Sequence, residues 1–460
     1  MSPESTFAHT GSDPLTGELS SDSFRAFIKG FDRFGKESVE TFTALGNGER
    51  VPVYVNEYWT ARQRQGHSLH EVSYRACFKP QLPRFFIELL TRPGDTVYDP
   101  FMGRGTTLLE AALCGRRPVG NDINPLAQRL LRPRLQPPLL EVVEERLRGI
   151  PWQCAEEEPL DEDLLVFFHP ETLRQILSLR RYLENQEEAG ASDAVDDWIR
   201  MVATNRLTGH SPGFFSVYTL PPNQAVRPNR QRLINEKRKQ TPPPRDVTSI
   251  ILKKSRQLLG DLTPEERATL KEVSADAILL TGSADATKPL ATDSVDLLVT
   301  SPPFLKVIDY ETDNWMRSWF NGIDPKGVHL WQAGKLHKWE ELMARAFAEF
   351  FRILKPGAWI AFEVGEVSKG KVNLDEAVLP VAKAAGLTPV CTLINQQDFT
   401  KTANCWGVDN QSKGTNTNRI VVARKPGASP GKTLPAPRIL RQTAKPPTTR
   451  TPTQINLNFD

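Results

Sequence analysis

Apolar positions recur along the chain with two periods, one typical of strands and one typical of helices. The order in which the two periods alternate predicts the fold. Apolar runs of strand length at 96–98 and 118–121 flank an apolar stretch of helical length at 107–113, with Gly and Pro at the joints. This order predicts a β-α-β unit, which is half of a nucleotide-binding sheet. From about residue 130 to 272 the pattern is helical and charged, which predicts an insertion into the sheet domain.

The strand pattern resumes after this insertion. Strands are predicted at 278–280, 295–299 and 358–362, with a helix at 339–354. Two further apolar runs, 389–395 and 419–423, are separated by a polar loop, which is typical of a β-hairpin at a sheet edge. The whole pattern predicts an α/β fold: a doubly wound sheet with an edge β-hairpin and an inserted, mainly helical region.

The two ends of the chain lack apolar periodicity and are rich in polar residues and proline, which predicts disorder. The basic tail is expected to be a solvated segment or a non-specific phosphate-binding arm. Five segments follow in chain order: a disordered N-terminus (1–25), a first half of the sheet domain (26–130), an inserted helical and basic region (131–275), a second half (276–425) and a disordered basic tail (426–460).

Composition narrows the functional classes. The 460 residues are 39% hydrophobic with a formal net charge of +3, which suits two or three domains and permits nucleic acid as a partner without requiring it. The five cysteines lack paired spacing, so neither a disulfide framework nor a bound metal is expected, and a reducing cytoplasm is the simplest location. No run has the length of a signal peptide or membrane span, so no contact with a membrane is expected.

A glycine-rich turn between the first strand and helix is the first candidate site. Gly103 and Gly105 follow Asp99 and let the backbone approach a ligand closely, while Asp122 lies roughly 20 residues further on, the spacing of an acid that binds ribose hydroxyls. No Gly-Lys-Thr or Gly-Lys-Ser follows, which disfavours a phosphate-binding P-loop. By themselves these features also fit a dinucleotide site, or a helix-capping turn without a ligand.

The surrounding residues carry a resemblance to a known family. The stretch from Phe78 through Asp99-Pro100-Phe101-Met102-Gly103-Arg104-Gly105-Thr106-Thr107, with 120–125, resembles the S-adenosylmethionine-binding half of bacterial amino-methyltransferases that act on DNA. The resemblance implies a Rossmann-like methyltransferase sheet and S-adenosyl-L-methionine as the cofactor. It also implies these cofactor-binding residues: Phe78, Lys79, Pro80, Asp99, Phe101, Gly103, Gly105, Thr106, Thr107, Asp122 and Asp285.

Within that set the resemblance assigns roles. Asp99 and the backbone of the two glycines hold the methionine end, residues 78–80 close over the cofactor, Asp122 binds the ribose, and Asp285 faces the adenine amino group. Asp285 by itself also fits an ordinary turn.

The run 296–299 ends in Thr300-Ser301-Pro302-Pro303-Phe304, a second candidate site. Hydrogen-bond acceptors and an aromatic ring at the carboxyl end of a buried strand suit a planar base with an amino group. Methyl transfer to such an amine needs its lone pair freed, which Ser301 and the Pro302 carbonyl achieve by accepting its two hydrogens, while Phe304 stacks on the ring. Because serine is a weak base, we expect the neutral amine to attack and to lose its proton late, to solvent.

In the resembling family, serine at this position is typical of cytosine-N4 enzymes, and aspartate or asparagine of adenine-N6 enzymes. Phe304 stands where the family usually has tyrosine, so it keeps the stacking face without the hydroxyl. Asp309-Tyr310, 317–319 and the polar loop 400–419 also match the family, and that loop is expected either to line the base pocket or to form a long hairpin. A base inside a duplex must be flipped out to reach such a pocket.

The inserted region supplies candidate DNA contacts. Cations and aromatic residues are interleaved after residue 205, which favours a surface that follows a phosphate backbone, although a plain solvated face has the same composition. The candidates are Arg206, His210, Arg227, Arg230, Arg232, Lys237, Arg238 and Lys239.

These observations favour a site-specific DNA methyltransferase that makes N4-methylcytosine in double-stranded DNA. We expect it to act in a restriction–modification system with a cognate restriction endonuclease. Adenine-N6 methylation of DNA or amine methylation of RNA shares the same catalytic geometry. A catalytically weak nucleic-acid-binding protein that senses S-adenosylmethionine is the third possibility.

Overall fold

The computed structural model describes residues 19–46, 48–59, 66–75, 77–153, 159–220, 226–303, 310–324, 328, 331, 333–367, 372–396 and 417–427. Within these ranges, one sheet has the strand order β1-β2-β10-β11-β7-β6-β3-β4-β5, and β8 and β9 form a separate hairpin. The strands are β1 Val39–Ala44, β2 Arg50–Asn56, β3 Thr96–Asp99, β4 Arg117–Asp122, β5 Ile278–Thr281, β6 Val295–Thr300, β7 Leu354–Val364, β8 Glu366–Val367, β9 Val372–Asn373, β10 Thr388–Gln396 and β11 Thr417–Arg424.

The strand order confirms the predicted doubly wound sheet. Strands β5, β4, β3, β6 and β7 are parallel neighbours, and β11 lies antiparallel between β7 and β10. The chain passes from β3 outward to β4 and, after the insertion, to β5, and it then returns to the other side of β3 with β6 and β7. Ligands of open α/β sheets bind at such a reversal, beyond the carboxyl ends of the strands.

Apolar side chains cover both faces of this sheet. Leu297 and Val299 of β6 pack with the helices of the N-terminal segment, whereas Leu298 between them packs with the helices that follow residue 335. A strand buried on both faces has no polar alternation, which explains the unbroken apolar run in the sequence.

The predicted hairpin is present, but its position at the sheet edge was wrong. Strand β10 pairs with β11 on one side and with β2 on the other, where Thr392 lies opposite Val53. The outermost strand is β1, which pairs with β2. The first segment of the chain therefore covers the edge that the hairpin would expose, and buries Val51 and Val53 in doing so.

The N-terminus becomes ordered earlier than predicted. Helix α1 (Ser21–Lys29) begins at a Ser20 cap, whose hydroxyl accepts a hydrogen bond from the Ser23 amide at 3.1 Å. Phe24 and Ile28 are fully buried one helical turn apart. Disorder through residue 25 was therefore wrong for residues 21–25, while residues 1–18 and 428–460 lie outside the described part of the chain.

Helices cover the sheet and fill the insertion. They are α1 Ser21–Lys29, α2 Gln81–Leu90, α3 Thr106–Leu113, α4 Leu126–Leu135, α5 Leu140–Gly149, α6 Glu162–Leu165, α7 Pro170–Glu188, α8 Ala194–Thr204, α9 Pro228–Arg238, α10 Val247–Leu258, α11 Pro264–Ser274, α12 Tyr310–Phe320, α13 Leu336–Ile353 and α14 Leu374–Ala384. None of these described helices combines the length and the apolar character needed to cross a membrane.

The insertion is mainly helical, as predicted, and it shares a core with the sheet domain. Trp198 of α8 and Ile251 of α10 belong to the same buried apolar cluster as Leu108 of α3 and Leu130 of α4. Helix α4 itself crosses the predicted boundary at residue 131. The insertion therefore packs on one side of the cofactor half as an extension of it, and its role in target recognition stays a prediction.

The packing of α1 gives a test with a matched control. Phe24 is fully buried, with its ring centroid 5.2 Å from that of Trp359, whereas Phe27 on the same helix is 36% exposed. We expect Phe24→Ala to lower the free energy of unfolding by about 3–5 kcal/mol, and Phe27→Ala to lower it by less than about 1 kcal/mol. Urea denaturation measures both, and equally small losses would contradict a packed helix.

Candidate active site

A pocket opens at the carboxyl ends of β3, β4 and β6, where the strand order reverses. The pocket and its mouth together hold about 1040 Å³. Its walls come from both halves of the sheet domain: Tyr74, Arg75, Cys77, Phe78, Asp99, Pro100, Phe101, Met102, Gly103, Thr106, Asn121, Asp122, Ile123, Asn124, Gly282, Ser283, Ala284, Ser301, Pro302, Pro303 and Trp331. The two candidate sites of the sequence therefore line one space.

Hydrogen bonds join the two halves at the floor of the pocket. The parallel pairing of β3 with β6 sets Tyr98 opposite Leu298, so Asp99 and Thr300 both lie just beyond this pair at the carboxyl ends of the two strands. The Thr300 hydroxyl donates to Asp99 Oδ1 at 2.5 Å. Thr107, the second residue of α3, donates to the Val299 carbonyl at 3.2 Å. Thr107 therefore anchors the turn to β6.

Asp99 is a buried acid whose proton affinity is high. Its side chain is 2% exposed, and it also accepts a hydrogen bond from the Phe101 amide at 3.1 Å. Burial raises the pKa of Asp99 to about 7, against the opposing hydrogen bonds from Thr300 and Phe101. Such a carboxyl exchanges its proton near neutral pH, and its charge responds strongly to a cation placed beside it.

The glycine-rich turn has a conformation that only glycine adopts easily. Gly103 and Gly105 have φ angles of +50° and +78°. A Cβ on Gly105 would lie 2.7 Å from Leu131 Cδ1, so a side chain is excluded there on two grounds. Helix α3 starts at Thr106 without a side-chain cap, and Thr106 lines the pocket. The exposed positive end of the helix suits a carboxylate such as that of methionine.

Two arginines hold this turn in place, Arg104 within it and the buried Arg134 behind it, a feature that the sequence did not reveal. Arg104 donates to the carbonyl oxygens of His70 at 3.2 Å and Val72 at 2.9 Å. Arg134 is fully buried and donates to the Arg104 carbonyl. Burial, together with the nearby Arg104, lowers the pKa of Arg134 to about 9. Burying this cation costs free energy. Its hydrogen bond to the turn therefore indicates that a defined shape of the turn is important for the protein.

Asp122 at the end of β4 is held with unused acceptor capacity. Its Oδ2 accepts from the Gly103 amide at 2.8 Å, and its Oδ1 accepts from the Asn124 amide at 2.9 Å. Burial raises its pKa to about 6, while these two backbone bonds lower it. Each carboxylate oxygen has a second lone pair, so Asp122 can accept both hydroxyls of a ribose as well. Its position fits the predicted role.

An aromatic pair lines the next part of the pocket. Phe101 lies edge-to-face against Trp331, with ring centroids 5.9 Å apart, and Arg345 lies above the Trp331 ring at 5.7 Å. The sequence analysis missed Trp331, which stands outside every predicted strand and helix. An isolated Trp in such a segment was the available signal.

Asp285 lies beside this aromatic pair without lining the pocket. Its carboxylate accepts from the Ser283 hydroxyl at 2.5 Å and forms an ion pair with Arg345 at 3.2 Å. The neighbouring Ser283 and Ala284 do line the pocket. Recognition of the adenine amino group by Asp285 therefore stays a prediction.

Of residues 78–80, Phe78 lines the pocket. Burial lowers the pKa of Lys79, and Pro80 precedes the first turn of α2. The structure thus brings most of the predicted cofactor residues to one surface, with Lys79, Pro80, Gly105, Thr107 and Asp285 in supporting positions around it.

The residues that are similar to the family's S-adenosylmethionine site also fit that molecule physically. The uncapped start of α3 suits its carboxylate, the spare lone pairs of Asp122 suit its ribose, and the Phe101–Trp331 pair suits its adenine. These groups line one pocket.

The base side of the pocket is formed by Ser301, Pro302 and Pro303, while Phe304 and Asp309 lie outside the described residues. The indole N–H of Trp339, on α13, donates to the Pro303 carbonyl at 3.0 Å. That bond holds the two prolines in place. Its acceptor is the carbonyl of Pro303 and not that of the neighbouring Pro302.

A buried carboxyl on β7 stands behind Ser301. Glu363 is 7% exposed and hydrogen-bonds to the Ser301 side chain, and it accepts from Asn418 Nδ2 at 3.0 Å. Burial raises its pKa to about 6, although both hydrogen bonds lower it. The sequence analysis missed Glu363, but a lone acid inside the apolar run 358–364 was a signal that it serves a purpose.

Two further segments match the family pattern, and the structure describes residues 317–319 in α12 but not the polar loop. Arg317 in α12 is 9% exposed and donates to Asn314 Oδ1 at 2.9 Å. Arg75, on the pocket wall, forms a two-bond ion pair with Asp313 of the same helix, both bonds at 3.0 Å. Helix α12 is thereby fixed to the cofactor half. The polar loop 400–416 lies outside the described residues.

The predicted DNA contacts divide into two groups. Arg206 and His210 are half-buried and contact Phe214, with the Arg206 guanidinium 4.1 Å above its ring. The remaining candidates lie on or beside α9, where Arg232 pairs with Asp163 and Arg238 stacks on Tyr218 at 3.7 Å. Those that face solvent are Arg227, Arg230, Lys237, Arg238 and Lys239. Contact of either group with DNA stays a prediction.

Within the part of the chain that the structure describes, no three His, Cys, Asp or Glu side chains are grouped so as to hold a metal ion.

The high pKa of Asp99 gives a prediction with a defined sign. Its folded-state pKa of about 7 lies above the value near 4 of an unfolded aspartate, so its favourable contribution to stability is lost as pH rises toward 7. Asp99→Asn stays neutral, and we expect it to raise the melting temperature more at pH 8 than at pH 5. The exposed Glu341→Gln should show no such pH dependence.

The same variant should bind S-adenosylmethionine at least about tenfold more weakly at pH 8, a loss of about 1.4 kcal/mol. Melting curves and calorimetry measure the two effects. Unchanged affinity, or the same stability difference at both pH values, would count against a functional acid at this position.

Part of the chain is similar to known DNA methyltransferases. A family described as DNA methylase (N6_N4_Mtase) matches residues 32–131. Type II methyltransferase M.MjaII of Methanocaldococcus jannaschii is 36% identical over 75 residues, which cover 16% of this chain and 14% of that protein. Type II methyltransferase M.MvaI of Kocuria varians is 42% identical over 67 residues, covering 14% of this chain and 15% of that protein.

A longer alignment joins the chain to Type II methyltransferase M.BsoBI of Geobacillus stearothermophilus, at 21% identity over 315 residues. It covers 61% of this chain and 58% of that protein. The chain therefore spans about a seventh of the length of the first two relatives and just over half of the third.

Among solved structures, a SAM-dependent methyltransferase from Methanosarcina mazei aligns with a TM-score of 0.28 and 11% identity, over 74% of this chain and 96% of that one. TrmN from Thermus thermophilus aligns with a TM-score of 0.28 and 12% identity, over 76% of this chain and 49% of that one. Scores this low support no conclusion of their own. The family match confirms that the chain resembles DNA amino-methyltransferases, and it confirms S-adenosylmethionine as the predicted cofactor.

Proposed function

We propose that the protein is a site-specific DNA methyltransferase that uses S-adenosylmethionine to methylate the exocyclic N4 amine of cytosine in double-stranded DNA. The observation that carries the proposal is the Asp99–Thr300 hydrogen bond, because it sets the glycine-rich turn beside Ser301-Pro302-Pro303. A cofactor on the turn and an amine on Ser301 would share one pocket. Proximity of this kind is a large part of the acceleration of any transfer between two bound molecules.

On the cofactor side, Asp122, the α3 N-terminus and the Phe101–Trp331 pair are proposed to bind the ribose, the methionine carboxylate and the adenine. S-adenosylmethionine supplies a methyl group on a positively charged sulfur, which makes that methyl group electrophilic. Asp99 is proposed to lie close to the methionine end of the cofactor and to accept a hydrogen bond from its ammonium group. Because the pKa of Asp99 is raised to about 7, this interaction should depend on pH.

On the base side, Ser301 and the Pro302 carbonyl are proposed to accept the two amine hydrogens and so direct the nitrogen lone pair toward the cofactor. Trp339 supports this arrangement, because its bond to the Pro303 carbonyl holds the prolines in place. A pocket whose acceptors are fixed before the base arrives needs little rearrangement as charge moves during the transfer.

The choice of cytosine over adenine rests on Ser301, since serine in this motif is typical of cytosine-N4 enzymes in the resembling family. Adenine-N6 methylation of DNA, or amine methylation of RNA, is the second candidate, because the matched family covers both kinds of amine. The two candidates share every pocket residue named above and differ in the base that fits against Ser301.

DNA is the proposed partner, with the exposed cations of α9 bound to its phosphate backbone and with the target base flipped out of the helix. The matched relatives are named as Type II methyltransferases, which supports a role in a restriction–modification system beside a cognate restriction endonuclease. A flipped base would enter at Ser301, which lies on the pocket wall.

The direct test is transfer of labelled methyl groups from S-adenosylmethionine to DNA of mixed sequence or to RNA, followed by digestion to nucleosides. Label in N4-methyldeoxycytidine supports the proposal. Label in methyladenosine, or in RNA alone, would transfer the assignment to the second candidate. DNA binding without label would leave the protein as a cofactor-sensing nucleic-acid binder.

Ser301→Ala tests the base side by itself. We expect methyl transfer to fall by about 10²-fold or more, because a positioned hydrogen-bonding group is lost at the reacting amine, while affinity for S-adenosylmethionine stays unchanged. Ser192→Ala, in the exposed loop between α7 and α8, is the matched control and should retain full transfer. Equal turnover in the two variants would remove Ser301 from the mechanism.

The α9 surface gives a separate prediction. Replacing Arg230, Lys237 and Lys239 by Ala should weaken DNA binding at all sequences, and it should reduce the slope of log K against log salt by about one for each phosphate that the variant no longer neutralises. Lys271, Lys288 and Lys338, which are also exposed, form the control triple variant. Fluorescence anisotropy across salt concentrations measures both, and identical slopes would place the DNA on another face.

A further inference from the structure

We propose that Glu363 is the proton acceptor of the methyl-transfer reaction and that it acts through Ser301. This inference rests on the proposed function, since it concerns the proton that a methylated amine must lose. Sequence reasoning expected that proton to leave directly to solvent. The structure shows a carboxyl group placed one hydrogen bond behind the serine.

The sheet brings the two side chains together. Strands β6 and β7 are parallel, with Thr300 opposite Phe362, so the next residues along each strand, Ser301 and Glu363, are also neighbours. Ser301 faces the pocket, whereas Glu363 is 7% exposed and does not line it. A base in the pocket would therefore reach the carboxyl only by way of the serine hydroxyl.

The direction of the hydrogen bonds supports a relay. Ser301 has one proton to donate and two lone pairs with which to accept. The Glu363 carboxylate accepts from Asn418 and takes the Ser301 proton, which leaves the serine lone pairs for the amine. Without Glu363 the hydroxyl could rotate and donate toward the amine, which would oppose the alignment that the reaction needs.

The surroundings of Glu363 suit a group that gains a proton. Its hydrogen-bond partners Ser301 and Asn418 are uncharged, and burial raises its pKa to about 6. On the adjoining elements, Arg419 of β11 and Asp375 of α14 pair with each other at 3.2 Å. Among the described residues, no cation forms a salt bridge with Glu363, and burying an acid in this way is costly. Such burial suits a carboxyl that must alternate between its charged and neutral forms.

The proposed sequence balances in atoms and charge. The methyl carbon bonds to the amine nitrogen as its bond to sulfur breaks, and sulfur keeps that electron pair and becomes neutral. The nitrogen, now positive, loses a proton to Ser301 Oγ and keeps the N–H electron pair. The original hydroxyl proton of Ser301 passes to Glu363, which becomes a neutral acid. Glu363 later releases that proton to solvent and is ionised again for the next turnover.

Glu363→Gln tests this role, because the amide keeps the size and the acceptor oxygen but cannot take a proton at this pH. We expect the single-turnover rate at pH 8 to fall by about 10²-fold or more, with unchanged affinity for S-adenosylmethionine. Glu341→Gln, an exposed acid on α13, is the matched control and should keep the full rate. In a Ser301→Ala background, Glu363→Gln should cause little further loss, since both residues act in one path.

The pH profile separates a proton acceptor from a structural acid. The wild-type rate should rise about tenfold per pH unit below pH 6 and level off above it. In Glu363→Gln, the part of this rise that is caused by ionisation of Glu363 should disappear. Asp99 and Asp122 also titrate in this range, so only the difference between the two profiles counts.

Infrared difference spectra of the cofactor-free protein give a readout independent of activity. A carboxyl band should titrate near pH 6, be absent in Glu363→Gln, and move to higher pH in Ser301→Ala, because the serine bond lowers the pKa of Glu363.

If the wild type is active and Glu363→Gln keeps both the wild-type rate and the wild-type pH profile, the relay is overturned and the proposed function is left intact. A wild type that transfers no methyl group to DNA or RNA would overturn both. A slow Glu363→Gln variant that also loses cofactor affinity and melts early would show a structural acid and would contradict the relay.

Discussion

The hydrogen bond from Thr300 to Asp99 is the interaction on which the site depends. It joins residues 201 positions apart, and the whole helical insertion lies between them in sequence. The doubly wound order makes this bond possible, because β3, which lies before the insertion in sequence, and β6, which lies after it, are neighbours at the reversal of the sheet. A pocket built this way draws one wall from each half and exists only when both halves are folded.

Three carboxyl groups with raised pKa values lie at or just behind the pocket wall. Asp99 and Asp122 are the last residues of β3 and β4, Glu363 is the second-last residue of β7, and burial is the main cause of the shift in each case. Carboxyl groups of this kind reduce stability at neutral pH, and their concentration at one end of the sheet supports the roles proposed for them. Arg134, which is buried behind the glycine turn, follows the same logic with the opposite charge.

Local pattern was enough to predict the central strands, the insertion, the glycine turn and the strand end at Ser301, since each depends on residues adjacent in sequence. The missed features arise from packing between distant segments. Strands β1 and β2 cover the edge of β10, which no local pattern reveals. Trp331, Trp339 and Glu363 gain their roles from strands and helices far along the chain. The helix α1 could have been found, because Phe24 and Ile28 already lie one turn apart.

The central claim is that one pocket holds the cofactor on the glycine turn and the target amine on Ser301. A crystal structure with S-adenosylhomocysteine bound tests this most directly. The account predicts the ribose hydroxyls on Asp122, the adenine beside Phe101 and Trp331, and the sulfur turned toward Ser301. A cofactor bound elsewhere, or bound here with its sulfur turned away from Ser301, would contradict it.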